Sequence, residues 1–167
     1  MRLTGWRVVM FLCLLAVIVP GTANGADLKK EAEVREAIKQ HISAYSRKDL
    51  KGVMATIAPD AVFIGSGADE RLVGLAQIRA AYEADCSRGS SATFTFTWIS
   101  ISTRGSVGWF ASDCKAIVDT GTRKVELVGR WTGVLVKQGD RWLFVQSHFS
   151  FPFTRQAKGR PVRKKVK

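Results

Sequence analysis

The second half of the chain is a series of long β-type segments joined by short turns, and this pattern limits the fold more than any other feature. Residues 93–103 alternate in character, which predicts that Phe94, Phe96 and Trp98 lie on one face of a strand, opposite a row of threonines. Three more segments of this kind follow: residues 107–118, 124–137 and 142–151. Since short turns join antiparallel neighbours, these segments predict an antiparallel sheet.

Helical patterns precede the sheet. Apolar residues recur at spacings of three and four over residues 31–48, which predicts an amphipathic helix. Asp49 is a favourable N-cap for a second helix over residues 50–57, and Pro59 ends that pattern. Two short strands and a third helix are predicted next: residues 61–64, 71–74 and 75–88. Helices followed by an antiparallel sheet predict an α+β fold in which the helices cover one sheet face.

The N-terminus has the order of a secretory signal peptide. Arg2 and Arg7 precede an apolar run over residues 8–19, and small residues follow it. We predict cleavage after Gly25, so that residues 1–25 are a signal peptide and the mature protein is exported, to the periplasm or the extracellular space. The alternative is a membrane anchor, which we disfavour because the run is shorter than the roughly 20 residues that cross a bilayer.

The basic character of the chain lies in its C-terminal tail. The formal net charge is +12, yet residues 26–153, which we predict to form one domain, carry 17 basic and 14 acidic side chains. Residues 154–167 hold seven basic residues and no acidic one, so we predict a disordered tail. We interpret it as a solvated end, with an anionic envelope surface as the next candidate contact. It has no aromatic residue to stack on bases, and we do not expect nucleic acid as a partner.

Cys86 and Cys114 are the two cysteines that remain after the predicted export. In an oxidising compartment an even count makes a disulfide between them a candidate. The alternative is two buried, inert thiols, since free cysteine is among the most buried residue types. The histidines, cysteines and acids lack the spacing of metal ligands, so we predict neither a metal nor a cofactor.

Several short motifs occur in an order that resembles a known family. In the first half these are Lys48-Asp49-Leu50, Ala58-Pro59-Asp60-Ala61-Val62-Phe63 and Leu72-Val73-Gly74. In the second half they are Gly129-Arg130-Trp131-Thr132, Gly139-Asp140-Arg141-Trp142 and His148-Phe149-Ser150. In this order they resemble the SnoaL-like branch of the nuclear transport factor 2-like (ketosteroid isomerase-like) superfamily, over about residues 31–152.

The resemblance implies a cone-shaped, cystatin-like α+β fold. Three N-terminal helices would pack on a strongly curved, mainly antiparallel sheet and enclose a pocket, and many members form homodimers through the outer sheet face. The superfamily's ketosteroid isomerases need a carboxylate base and two proton donors. By resemblance the base position falls at Gly65, which has no side chain, and the donor positions fall near His41 and Thr132. A steroid isomerase mechanism is therefore disfavoured, and the catalytic residues stay unassigned.

Five residues are candidates for ligand binding. His41 and Tyr45 lie four apart on the apolar face of the first helix and therefore point the same way. Arg130 interrupts an apolar strand, where it either grips an anionic ligand or forms an ion pair with Asp113 or Glu126. The other two candidates are Thr132 and His148.

The hairpin at residues 139–140 decides whether Arg130 and His148 share a face. A two-residue turn places Arg130 opposite Phe149 and separates the two side chains, whereas one extra residue brings them together. The sequence leaves both registers open.

The sequence therefore favours a binding module for a small, partly apolar molecule, which can be anionic if Arg130 faces the pocket. One alternative is a proton-transfer enzyme of isomerase, dehydratase or cyclase type that uses a pocket histidine. The other is a non-catalytic dimeric interaction domain, whose pocket would be filled by aromatic side chains, among them Trp98, Trp109 and Trp131.

Overall fold

The computed structural model describes residues 25–67, 69–88, 91–119 and 124–151. The predicted tail and all but the last residue of the predicted signal peptide lie outside these residues. Within them the chain forms three helices and six strands: α1 (Gly25–Ser46), α2 (Leu50–Met54), β1 (Ile57–Ile64), β2 (Arg71–Val73), α3 (Gly74–Ser87), β3 (Ser91–Arg104), β4 (Val107–Asp119), β5 (Lys124–Gln138) and β6 (Arg141–Ser150).

The strands form one curved sheet in the order β2-β1-β6-β5-β4-β3. All neighbours are antiparallel except β1 and β6, which are parallel. Helix α1 packs against β3, β4 and β6, and α3 packs against β1 and β2. The predicted α+β fold, with helices on a curved and mainly antiparallel sheet, is confirmed. No helix in the described part of the chain is long and apolar enough to cross a membrane.

Helix α1 carries the predicted apolar stripe on its buried face. The fully or almost fully buried members are Val34, Ala37, Ile38, His41 and Ala44. The spacing of three and four residues keeps these side chains on one side of the helix, where they form the core together with the inner face of the sheet.

Helix α2 is shorter than predicted. Asp49 caps it as expected, with Oδ1 accepting from the Gly52 amide at 2.8 Å, but the helix ends at Met54 and β1 begins at Ile57. Pro59 lies inside β1, at a shift in the register between β1 and β6. A strand accommodates proline at such an irregularity, because no ladder hydrogen bond requires its missing N–H.

A β-bulge in β3 overturns the prediction that Trp98 shares a face with Phe94 and Phe96. The pairing with β4 shifts between Phe96 and Trp98. The extra residue reverses the alternation, so Phe94 and Phe96 pack on the core while Trp98 is 54% exposed on the outer face.

A second irregularity settles the relation between β5 and β6. The hairpin has the two-residue turn, with Gln138 paired to Arg141, but the register shifts beside Val134 and Leu135. Thr132 therefore pairs with His148, and Arg130 pairs with Ser150. Arg130 and His148 therefore lie on the same face of the sheet, and that face is the outer one.

Candidate functional site

A cavity of about 500 Å³ lies between α1, α3 and the inner face of the sheet. Its volume is within the range of small-molecule sites. Most of the wall is aromatic or aliphatic, and the charged side chains among the lining residues are those of Glu70, Asp85 and Arg88. The lining residues are His41, Ile42, Tyr45, Gly65, Glu70, Ala81, Tyr82, Ala84, Asp85, Arg88, Phe94, Trp131 and Phe149.

His41 lies at the base of this cavity and is 4% exposed. Its ring centroid is 4.8 Å from that of Phe144 and 6.0 Å from those of Tyr82 and Trp131. Burial among these rings disfavours the charged imidazolium and lowers the pKa of His41 to about 4. His41 is therefore a neutral ring at physiological pH.

Hydrogen bonds fix the tautomer of this neutral ring. The Thr56 hydroxyl donates its single proton to the Val53 carbonyl oxygen at 2.6 Å. Thr56 Oγ1 must therefore accept from His41 Nδ1, which lies 2.8 Å away. His41 Nε2 is left with a lone pair and accepts the Tyr82 hydroxyl proton at 3.1 Å. The three side chains form an ordered chain of hydrogen bonds that ends at the cavity.

Two tyrosines stand side by side on the wall. The Tyr45 and Tyr82 rings meet edge to face with centroids 5.3 Å apart. Burial, reinforced by Asp85, raises the pKa of Tyr45 to about 12 and raises the pKa of Tyr82 further. The Tyr45 hydroxyl donates to Asp85 Oδ2 at 3.5 Å. Asp85 is ion-paired with Arg88 at the exposed rim. Because the pKa values of both tyrosines are raised, both phenols remain protonated at physiological pH.

Two glycines shape the wall by leaving room for a neighbouring side chain. A Cβ on Gly129 would overlap the Phe149 ring, which therefore lies against the β5 backbone and lines the cavity. A Cβ on Gly65 would overlap the Glu70 carboxylate. This carboxylate lies against the Gly65 backbone and accepts a hydrogen bond from the Gly67 amide at 2.8 Å. Glycine at both positions permits this close approach.

The structure separates the five sequence-predicted ligand residues into two groups. His41 and Tyr45 line the cavity. The prediction that Arg130, Thr132 and His148 line it is wrong, because these residues occupy the outward-facing positions of β5 and β6.

Arg130 is 63% exposed and lies 3.6 Å from Asp113, one of its two predicted ion-pair partners. The other predicted partner, Glu126, pairs with Lys115 at 3.3 Å. The apolar neighbours of Arg130 in sequence are therefore not evidence of burial, since alternate residues of β5 face opposite sides of the sheet.

The candidate disulfide is not formed in the structure. Cys86 and Cys114 are both free. Cys114 is fully buried on β4, where its thiol lies 3.5 Å from the Gly129 carbonyl oxygen, and Cys86 is half-buried on α3. The structure agrees with the alternative in that both thiols are free and Cys114 is buried, but Cys86 is not fully buried.

Sequence reasoning missed the partners that complete the site. Tyr82 lies within the predicted third helix, at a spacing of four from Ile78, and a tyrosine on the buried side of a helix needs a partner for its hydroxyl. That signal pointed to Tyr82 without identifying His41. Thr56, Glu70 and Asp85 gave no local signal, because they reach the site only through the packing of α1, α3 and β1.

The sequence model of the SnoaL-like domain family matches residues 34–154. No curated protein matches the chain. Solved structures match the fold at low identity. A nuclear transport factor 2-like protein of unknown function from Pseudomonas putida is 19% identical, with a TM-score of 0.68, over 83% of this chain and 98% of that chain.

Two further structures show the same fold. A proposed dehydratase of the nuclear transport factor 2-like family from Streptomyces avermitilis has a TM-score of 0.69 and 16% identity, over 75% of this chain and 97% of that chain. A cystatin-like protein of unknown function from Nostoc punctiforme has a TM-score of 0.61 and 14% identity, over 76% of this chain and 93% of that chain. At these identities the similarity establishes the fold alone.

Proposed function

Since the chain belongs to the family of SnoaL-like domains, we propose that its cavity binds a small, largely apolar molecule with at least one ring and one polar group. The observation that carries this proposal is the aromatic wall around a space of about 500 Å³. Rings of Tyr45, Tyr82, Phe94, Trp131 and Phe149 offer faces and edges for a ring-bearing ligand.

The charges at the cavity disfavour an anionic ligand, and we propose a neutral one. Two acids, Glu70 and Asp85, and one base, Arg88, lie among the lining residues. Arg130, the residue expected to hold an anion, lies on the outer face. The cavity therefore offers no unopposed positive side chain among its described lining residues, and an anionic ligand would meet net negative charge.

A direct test measures binding of a neutral fluorescent probe, N-phenyl-1-naphthylamine, which becomes bright in apolar surroundings. Ala81→Phe places a ring in the cavity and should weaken binding at least about tenfold, since a filled site cannot hold the probe. The matched control is Ala80→Phe, on the exposed side of the same helix, which should bind as the parent does. Equal affinity of all three proteins would contradict the proposal.

Proton-transfer catalysis is the second candidate, and the His41–Tyr82 hydrogen bond favours it. Efficient acid–base catalysis needs a pKa near the operating pH. Burial moves the pKa of His41 down to about 4 and that of Tyr82 far up, so both groups resist a change of protonation state near neutrality. For this reason we place binding before catalysis.

The filled-pocket interaction domain is not carried forward. Trp98 and Trp109 are 54% and 43% exposed on the outer face, and of the three tryptophans expected in the pocket Trp131 alone faces it. A homodimer through the outer face stays part of the proposal, because apolar side chains lie exposed there.

We also propose that the protein acts after export. The support is the N-terminal sequence: a basic start, an apolar run and small residues before Ala26. Mass spectrometry of the mature protein should find an N-terminus at Ala26 or Asp27. An intact Met1 on protein from the cytoplasm would contradict export.

A further inference from the structure

The hydrogen-bond donors inside the cavity, those of His41, Tyr82 and Trp131, are all committed to the protein. Of the described lining side chains, His41, Tyr45, Tyr82, Trp131 and Arg88 carry N–H or O–H groups. His41 donates inward, away from the cavity, and Tyr82 donates to His41 Nε2 at 3.1 Å. The Trp131 indole N–H donates to the Ser147 hydroxyl oxygen at 2.8 Å.

The remaining two donors lie toward the rim. Tyr45 donates to Asp85 at 3.5 Å, the longest of these hydrogen bonds. Arg88 is 65% exposed and is ion-paired with the same carboxylate. Apart from Arg88 at the rim, the polar atoms that the described lining side chains leave for a ligand are therefore the phenol oxygens and the carboxylates of Glu70 and Asp85, which accept hydrogen bonds.

We propose that this cavity selects ligands that donate a hydrogen bond, such as phenols, alcohols and aromatic amines, over ethers and carbonyl compounds of the same shape. The inference rests on the proposed binding function and names its ligand class. A donor ligand satisfies the lone pairs of Tyr82 Oη. An ether or carbonyl oxygen placed there meets another acceptor, and both remain unpaired in an apolar site, which weakens binding.

Thr56 is the positioning residue for this selectivity. It touches no ligand, but its oxygen accepts from His41 Nδ1 and so keeps the lone pair of the ring on Nε2. That lone pair holds the Tyr82 proton and turns the phenol oxygen into an acceptor toward the cavity. A side chain without an oxygen at position 56 should no longer hold this tautomer of His41 or this direction of the hydrogen bond between His41 and Tyr82.

Thr56→Val is expected to invert the selectivity. Valine keeps the shape of threonine and removes the acceptor, so His41 gains by moving its proton to Nε2 and donating to Tyr82 Oη. The Tyr82 hydroxyl is then free to donate into the cavity, which favours carbonyl ligands. Thr56→Ser retains the hydroxyl and should retain the preference of the parent.

The experiment compares three probes of one shape, 2-naphthol, its methyl ether and 2-naphthaldehyde, by titration calorimetry. The parent and Thr56→Ser should bind 2-naphthol at least about tenfold more tightly than the other two, the factor that one unsatisfied buried polar group produces. In Thr56→Val the aldehyde should overtake the naphthol. Equal affinity of the parent for naphthol and aldehyde overturns the inference while leaving the binding function intact.

The tautomer of His41 gives a readout that does not depend on any variant folding. Nitrogen NMR of the parent protein should show a protonated Nδ1 and an unprotonated Nε2. The opposite tautomer overturns the inference, because Tyr82 would then be a donor to the ligand. If the tautomer is as expected and none of the three probes binds, the proposed binding function fails, and the selectivity that rests on it fails with it.

Discussion

His41 is a titratable ring in an apolar enclosure, and its protonation state links the site to the stability of the domain. The unfolded chain binds a proton on this ring below about pH 6.5, whereas the folded protein resists protonation down to about pH 4. Between these values the unfolded state binds more protons. The contribution of His41 to stability is therefore complete above the unfolded pKa and is lost as the pH falls from about 6.5 toward about 4.

We predict that this ring alone lowers the free energy of unfolding by about 2 kcal/mol between about pH 7.5 and about pH 5, since each pKa unit corresponds to about 1.4 kcal/mol. His41→Gln should flatten the pH dependence over this interval in urea denaturation. His148→Gln is the matched control, because His148 lies exposed on the outer face and not in the apolar enclosure. An unaltered slope in His41→Gln would show that His41 is not the source of this pH dependence.

Arg130 illustrates how solvent exposure limits the contribution of an ion pair to the free energy of unfolding. Its partner Asp113 is also exposed, and solvent screens such a pair. We predict that Arg130→Met changes the free energy of unfolding by less than about 1 kcal/mol and leaves probe affinity unchanged. Thermal melting and the fluorescence titration measure both. A loss of several kcal/mol, or of binding, would show that Arg130 is buried or faces the cavity in solution.

At the scale of elements, β-bulges explain which parts of the site the sequence could not predict. The order of helices, strands and turns was predictable because each has a local pattern, although the boundary between α2 and β1 was not. The stripe on α1 placed His41 and Tyr45 on the cavity wall. One inserted residue in β3 turns Trp98 outward, and another irregularity puts Arg130 and His148 on one face. A bulge depends on curvature and on the partner strand, so local alternation does not indicate it.

The β5–β6 pair offers a test of how the cavity wall is built. Gly129 leaves room for the Phe149 ring, and a larger residue would have to displace it. We predict that Gly129→Val destabilises the domain by roughly 1–3 kcal/mol, as overpacking does, and weakens probe binding. Val128→Thr, at the adjacent exposed position, is the control for the cavity and should leave probe binding unchanged. Full stability of Gly129→Val would indicate that the ring does not lie there.

At the scale of the whole molecule, the outer sheet face is a second apolar surface. Trp98, Trp109, Ile117 and Val128 are between 43% and 55% exposed on β3, β4 and β5. Exposed apolar groups of this size on one face are typical of contact surfaces. The proposed occupant is a second copy of this chain.

We predict that the protein sediments as a dimer and that Trp109→Lys shifts it toward the monomer, because a charge would be desolvated in the interface. The control is Leu28→Lys. Leu28 is an apolar residue of α1 that is 55% exposed, and its replacement should leave the dimer intact. A monomeric parent at all concentrations would contradict the dimer without affecting the cavity.

The cavity and the outer face are two apolar surfaces of the described residues, and one measurement distinguishes between them as the place where a probe binds. Nuclear Overhauser contacts between bound N-phenyl-1-naphthylamine and aromatic protons locate the probe directly. Our account predicts contacts to the rings of Phe94, Trp131 and Phe149, which line the cavity. Contacts confined to Trp98 and Trp109 on the outer face would contradict the claim that the cavity is the binding site.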